Sequence, residues 1–324
     1  MLLFAGTTSL FSFKYSDLND IVKKLKQRSK SAGNIFIVKN GTSETLRNKT
    51  VVEIENVKSV SVHVPKHLKP LSDDSFGHYL AGLIDGDGHF SSKQQLVIVF
   101  YSLDVSLAYY IKERLGFGSI KKVKDKNAFI LVVAARKGLE KVINLINGKI
   151  RTENKFNQIA KNILSHDSYK EFKETISLNL NSNNDFRNHW LAGFSDASPF
   201  GSASFQIKVL KCTASNNKSE IRLNFQIDQK SNSILLLIKE FIGGNIGYRH
   251  SQDTYYYSST SFGSAKNVIS YFDSYHLLST KHTNYLKWRK AYLIIQNKDH
   301  LKTNGLEKII KLKSTMNRLS ETTV

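Results

Sequence analysis

Cysteine is nearly missing from this chain of 324 residues: Cys212 is the only one. That excludes an internal disulfide framework and a zinc cluster built on cysteines. Proline is scarce as well, at three residues. No apolar run approaches the ~18 residues that a bilayer-crossing helix needs, so none of the chain is expected to span a membrane. The first residues, Met1-Leu2-Leu3-Phe4-Ala5, have no basic residues before them, and Asp17 and Asp20 follow, which suits neither a secretory signal nor a transit peptide. Acidic residues are outnumbered, with 27 Asp plus Glu against 47 Lys plus Arg, a formal charge of +20. Such a balance points to a polyanion, either nucleic acid or an anionic membrane surface.

What is present describes a folded protein. Hydrophobic residues make up 40% and aromatic residues 11%, which excludes wholesale disorder, and the length suits two domains with a core each. Abundant Asn, Lys and Ile are what an AT-rich organellar genome encodes, and a protein made inside the organelle needs no import signal. Residues 1–70 carry Lys23-Lys24, Lys26 and Arg28-Ser29-Lys30-Ser31, a Gly41-Thr42-Ser43 turn and Val51-Val52-Glu53-Ile54; we read them as a basic N-terminal extension of weak order.

Beyond it the chain repeats itself. Gly77-His78-Tyr79-Leu80-Ala81-Gly82-Leu83-Ile84-Asp85-Gly86-Asp87-Gly88-His89-Phe90 recurs as Asn188-His189-Trp190-Leu191-Ala192-Gly193-Phe194-Ser195-Asp196-Ala197. Likewise Leu115-Gly116-Phe117-Gly118-Ser119-Ile120 is answered by Ile242-Gly243-Gly244-Asn245-Ile246-Gly247. Each half predicts a helix ending in the motif (76–86; 187–197), two strands (89–101; 203–211 and 220–229), a helix (104–115; 231–242), and two further strands and helices. The halves span 71–180 and 181–324. A polar stretch, Asn179-Leu180-Asn181-Ser182-Asn183-Asn184, joins them like a flexible linker.

Glycine inside a helix costs about 1 kcal/mol against alanine, so Gly82 and Gly193 need a reason. Matched glycines let two helices approach backbone to backbone. Asp85 and Asp87 fall where the first helix should end, facing the negative end of its dipole, a placement that a cation would relieve. Hard oxygen ligands with few dedicated protein groups suit Mg²⁺ shared with a substrate phosphate. Two such ions at adjoining helix ends could activate water and stabilise a leaving oxygen.

LAGLIDGDG at 80–88 resembles a full first motif of the LAGLIDADG homing endonucleases and group I intron maturases, and LAGFSDA at 191–197 resembles the start of the second. The resemblance covers about 70 to 324. Within the chain, Asn40–Thr45, Asn147–Lys155 and Ile295–Leu301 are similar to proteins encoded by introns of fungal mitochondrial genes. The resemblance implies an α+β fold of two pseudo-symmetric αββαββα repeats forming a saddle of antiparallel sheets. It implies Mg²⁺ as cofactor, held by Asp87 with the backbone carbonyl of Gly86. It also implies catalytic roles for Gln229, which would order water, and for Arg151 and Lys281, which would stabilise the scissile phosphate. Ser102 is the first-repeat counterpart of Gln229. Duplex DNA is the implied partner, intron RNA the alternative one, a monomer the implied state and the mitochondrion the implied location.

The second motif departs from the pattern. Its eighth position is Ser198, followed by Pro199-Phe200-Gly201-Ser202 before the strand resumes, so one metal position loses its carboxylate unless Asp196 substitutes. Binding would rest instead on the strands, where Lys93, Gln94, Gln95, Lys121, Lys122, Lys124, Lys208, Lys211, Arg222, Asn224, Gln226, Arg249 and Tyr257 alternate with apolar residues. Alternation puts one face on the core and a polar face in the major groove. Three readings stay open: an endonuclease with an impaired second site, an RNA maturase, and a purely structural or ribosome-associated RNA-binding relative.

Overall fold

The computed structural model describes residues 59–197, 203–211 and 219–316. The expected turn at 41–43, the stretch 51–54 and Ser198 lie outside the described residues.

Helix α1 (Asp73–Asp87) starts where Ser72 Oγ accepts from Ser75 N at 3.1 Å, with Asp73 and Asp74 in its positively polarised first turn. Strands β1 (His89–Ser91) and β2 (Gln95–Tyr101) follow, then α2 (Val105–Leu115), β3 (Ser119–Lys122), β4 (Ala128–Val133), α3 (Arg136–Ile146), α4 (Glu153–Ile159) and α5 (Lys170–Thr175). The second half repeats the plan with α6 (Trp190–Asp196), β5 (Ala203–Lys211), β6 (Ser219–Gln229), α7 (Ser233–Ile242), β7 (Asn245–Arg249), β8 (Thr254–Ser258) and α8 (Phe262–Ser274). Two more helices, α9 (Lys281–Gln296) and α10 (Thr303–Thr315), complete it. Both sheets are antiparallel and share one strand order, β1-β2-β4-β3 and β5-β6-β8-β7. The expected α+β architecture of two repeats therefore holds.

Period-two alternation places each sheet. Leu96, Ile98, Phe100, Leu131 and Val133 are buried under the helices of the first repeat; Phe205, Ile207, Leu223, Phe225 and Ile227 are buried in the second. Between the sheets α1 and α6 pack against each other. A Cβ on Gly82 would lie 1.9 Å from Trp190 O, and one on Gly193 would lie 2.0 Å from Tyr79 O, so only glycine admits this approach. Phe76, Leu80, Leu83, Trp190, Leu191 and Phe194 are buried along the same seam.

The polar stretch between the repeats is not loose. Asn181 N donates to Ile150 O at 2.8 Å and Asn179 N to Asn147 Oδ1 at 2.8 Å. Buried Arg151 donates through Nη2 to Asp185 O at 2.7 Å and through Nη1 to Asn183 O, and its guanidinium lies over Phe186, 4.2 Å from the ring centre. Polarity that suggests solvation in the sequence serves a hydrogen-bonded strap in the fold. Upstream of α1, Arg289, gripped by Asp273, donates to the carbonyls of Ser61 and His63, and Val60 exchanges two bonds with the Gln296 side chain.

Candidate active site and nucleic-acid interface

The two motif helices end side by side: a Cβ on Gly86 would meet Ala197 Cβ at 2.3 Å. At each end the sixth-position aspartate is fully engaged by protein. Asp85 accepts from Arg151 N (2.8 Å), Thr152 N (3.2 Å), Thr152 Oγ1 (2.5 Å) and, across the helix pair, Trp190 Nε1 (2.9 Å). Asp196 accepts from Leu278 N (2.6 Å), Ser279 N (3.3 Å), Ser279 Oγ (2.5 Å) and, across the pair, Tyr79 OH (2.7 Å). Asp85 braces the turn that leads into α4, and Asp196 the turn that leads into α9. Burial pushes the Asp85 carboxyl up to about 6 despite these donors, and raises that of Asp196. The suggested rescue of the second site by Asp196 is thus corrected, because its oxygens already carry four donors.

Asp87 differs in kind. Its carboxyl pKa is raised by burial, opposed by the charges of Lys155 and Lys281, and among the described residues it accepts no hydrogen bond. Gly86 O receives no donor among the described residues either, and Phe90 N, four residues on, donates to Gln158 Oε1 at 3.0 Å. A half-buried carboxylate and an open carbonyl at the negative end of a helix suit a divalent cation that completes its shell with water and substrate phosphate. No group of three or more His, Cys, Asp or Glu able to hold a metal by itself occurs among the described residues.

Two cations border these ends. Lys155, on α4, has its ammonium disfavoured by burial and favoured by Asp85 and Asp87. Sequence reasoning misses it; its one signal is its place three residues beyond Thr152, on the turn that Asp85 caps. Lys281, at the start of α9, donates to Ser195 O at 2.6 Å and Ala197 O at 3.2 Å, and burial lowers its pKa to about 8. Thr280 N beside it is capped across the repeats by Asp104 Oδ1 at 2.7 Å. The Arg151 guanidinium is directed at the linker carbonyls and the Phe186 ring, a correction to its expected place at the scissile phosphate. Gln229 ends β6 opposite Tyr255, half-buried; Ser102 donates its N–H to Asn127 O.

Most of the expected contact residues lie on the sheet faces turned away from the helices or on the turns beside them. Lys93, Lys121, Lys122, Lys124, Lys208 and Arg222 are exposed, Gln95 opens β2, and Lys211 ends β5 opposite Ser219. Gln94 lies in the β1–β2 turn and donates to Ser92 O. Asn224 faces Gln206 across β5 and β6 and is covered by its neighbours; Gln226 bonds Asp228, which also holds Arg249 at 3.0 Å. Tyr257 is a correction: it is 0% exposed, opposite Ile227 in the core, and its neighbour Tyr256 takes the outer face, under Arg249. Three consecutive tyrosines give no alternation from which to read the parity.

A model of the LAGLIDADG endonuclease family matches residues 80–163 and 191–292, over half of the chain. The chain belongs to this LAGLIDADG family. It is 60% identical over 321 residues to an uncharacterized 37.2 kDa protein of cox1 intron 2 from Schizosaccharomyces pombe, covering 96% of this chain and 95% of that protein. Similarity to the intron-encoded DNA endonuclease aI3 of Saccharomyces cerevisiae is 27% identity, over 72% of this chain and 68% of that one. The intron-encoded RNA maturase bI4 of the same yeast is 26% identical, over 73% of this chain but 36% of its own length. Among solved structures, the LAGLIDADG homing endonuclease I-LtrWI bound to its target DNA superposes with a TM-score of 0.59 at 22% identity, covering 76% of this chain and 99% of that one. That likeness shows the fold. No helix among the described residues is long and apolar enough to cross a membrane.

Proposed function

We propose that this chain is an intron-encoded, Mg²⁺-dependent DNA endonuclease that grips a long duplex with its two sheets and hydrolyses a phosphodiester beside Asp87. One observation carries the reading: at the joined helix ends Asp87 alone of the three acidic groups has no protein donor among the described residues, while Asp85 and Asp196 are each held by four. Bound there, the ion would be held by Asp87 and the Gly86 carbonyl, and would supply Lewis-acid activation of water and charge neutralisation at phosphate. Lys155, whose ammonium is favoured by the charge of Asp87, would stabilise the scissile phosphate on that side, and Gln229 would orient water from the end of β6.

The second half-site reads as impaired. The seventh-position carbonyl, open at Gly86, is occupied at Ala197 by the Lys281 ammonium, and the eighth-position carboxylate is replaced by Ser198. A resident cation on the helix end lowers the drive to bind a second one. One strand is therefore cut in preference to the other. The partner is duplex DNA at the intron insertion site; the chain acts as a monomer, because the duplicated motif supplies both sides of the helix pair, and in the mitochondrion, as the cox1 intron of its relative suggests. The similarity to the maturase bI4 favours group I intron RNA as a second partner. The test is cleavage of a plasmid carrying the intronless site in Mg²⁺: activity abolished in Asp87→Asn supports the nuclease reading. No cleavage with intact binding and intron splicing stimulated by the protein would replace it with the maturase reading.

A further inference from the structure

The two sheets share a topology but not an outer face. In the second repeat, the residues facing away from the core along β5 and β6 are Ser204, Gln206 and Lys208 paired with Gln226, Asn224 and Arg222. Strand β2 holds the place of β6 in the shared order and β4 that of β8. On this central pair the outward positions of the first repeat are apolar, where the second has Asn224 and Gln226 on β6 and Ser258 opposite Gln226 on β8. Val97 pairs with Val132 and Val99 with Ile130, so four β-branched side chains form a two-by-two square on the central strands β2 and β4. Their strand neighbours Leu96, Ile98, Leu131 and Val133 are the buried ones, so the square points away from the helices; Val99 is 36% exposed. None of the four packs against the hydrophobic core. Lys121, beside Ile130 on β3, and Ser119, beside Val132, border the square, and Lys93 and Lys124 are exposed on the adjoining turns.

A solvent-facing apolar patch framed by lysines fits a polyanion that carries apolar groups between its charges. In duplex DNA the major groove offers one: the C5 methyl of thymine, the sole apolar group among the base edges there. The bland account is that β-branched residues merely favour strands. It leaves unexplained why the second sheet, of the same topology, has Asn224, Gln226 and Ser258 on the outer side of its central pair.

We infer that the first repeat reads its half of the DNA site through thymine methyl groups seated on Val97, Val99, Ile130 and Val132, whereas the second repeat reads its half through hydrogen bonds from Gln206, Gln226 and Arg222. The inference rests on the proposed DNA binding. It assigns the two half-sites different chemistry: contacts with methyl groups are blind to hydrogen-bond pattern, and amide and guanidinium contacts are blind to the methyl.

The experiment replaces every thymine by deoxyuridine in one half of the duplex spanning the intron insertion site, then in the other half. Binding of the full chain is measured without metal. The substitution removes methyl groups and leaves phosphates and hydrogen-bonding edges alone. Removing each buried methyl should weaken binding about fourfold, in one half only. The variant Val97→Thr/Val132→Thr keeps strand-favouring shape and should abolish most of that sensitivity, while retaining the salt dependence of binding. Equal affinity for all three duplexes, or a sensitivity that the double variant leaves unchanged, would overturn the inference while leaving DNA binding standing. No preference of the wild-type chain for the insertion site over random duplex would overturn the DNA-binding reading and the inference with it.

Discussion

The indole Nε1 of Trp190, in the second repeat, donates to Asp85 Oδ2 of the first at 2.9 Å. Tyr79 returns the arrangement by donating to Asp196 at 2.7 Å, so each buried aspartate is completed by the partner repeat. Asp85→Ala would strand Trp190 Nε1, Arg151 N and Thr152 N in a buried site, and each unmade buried bond costs about 1–3 kcal/mol. Thermal unfolding should therefore show a destabilisation on the order of 3 kcal/mol or more. Asp87→Asn should leave stability equal or higher, because it removes a desolvated charge from the negative helix end. Equal melting temperatures for the two variants would contradict this division of labour between neighbouring aspartates.

Asp85 also sets a pH dependence. Its carboxyl is raised from 3.8 to about 6, chiefly by burial, so its protonated form is favoured on folding. Its contribution to stability is then full below about pH 4 and fades as pH rises to about 6. Asn cannot titrate, so the deficit of Asp85→Asn relative to wild type should be largest near pH 4 and shrink by about pH 6. Denaturant midpoints at the two values measure it; a deficit that grows with pH would reverse this sign.

The helix seam permits no added atom. Gly82→Ala places its Cβ 1.9 Å from Trp190 O, a contact with backbone that no rotamer relieves. Separating the helices enough to admit it would open the packing of Phe76, Leu83 and Phe194, at about 2–4 kcal/mol or more. A variant that melts with the wild type would show that the helices do not pack this way.

How much of this is legible in the sequence depends on how local the signal is. The repeat, the helix contact at Gly82 and Gly193, and the strand at 203–211 follow from spacing alone. Arg151 does not: a basic residue beside a catalytic motif looks like a phosphate ligand, and only the path of the linker shows that Asp185 and Asn183 take its donors. Lys155 escapes notice because its approach to Asp87 depends on the turn that Asp85 caps, a bond between residues 66 apart in the chain. Tyr257 is misplaced for want of alternation, since the run Tyr255–Tyr257 reads the same in either register.

Basic residues on the outer sheet faces and those tied to the linker should respond differently to salt. Replacing Lys121 and Lys208, both exposed on outer faces, should lower the slope of log affinity against log salt by about 0.9 for each phosphate no longer neutralised. Arg151→Met should leave that slope unchanged and lower the melting temperature, since its donors hold the linker. A salt slope reduced by Arg151→Met at unchanged stability would return this residue to the DNA-binding surface.

The product of cleavage tests the asymmetry of the two helix ends. Asp87 and the Gly86 carbonyl are free of protein donors among the described residues, whereas Ala197 O carries the Lys281 ammonium and the eighth position is Ser198. On a supercoiled plasmid the wild-type chain should accumulate nicked circles, with linear product forming slowly. Replacing Ser198–Ser202 by a single Asp restores a carboxylate at the second helix end and should raise linear product; adding Lys281→Met removes the competing ammonium from Ala197 O and tests whether that cation limits the second cut. Asp196→Asn should not act through metal ligation, because Tyr79, Leu278 and Ser279 already occupy its oxygens; its effect should be a lower melting temperature. Efficient linearisation by the wild-type chain, with nicked and linear forms appearing together, would show that the second end cuts as well as the first and that Ser198 is no lesion.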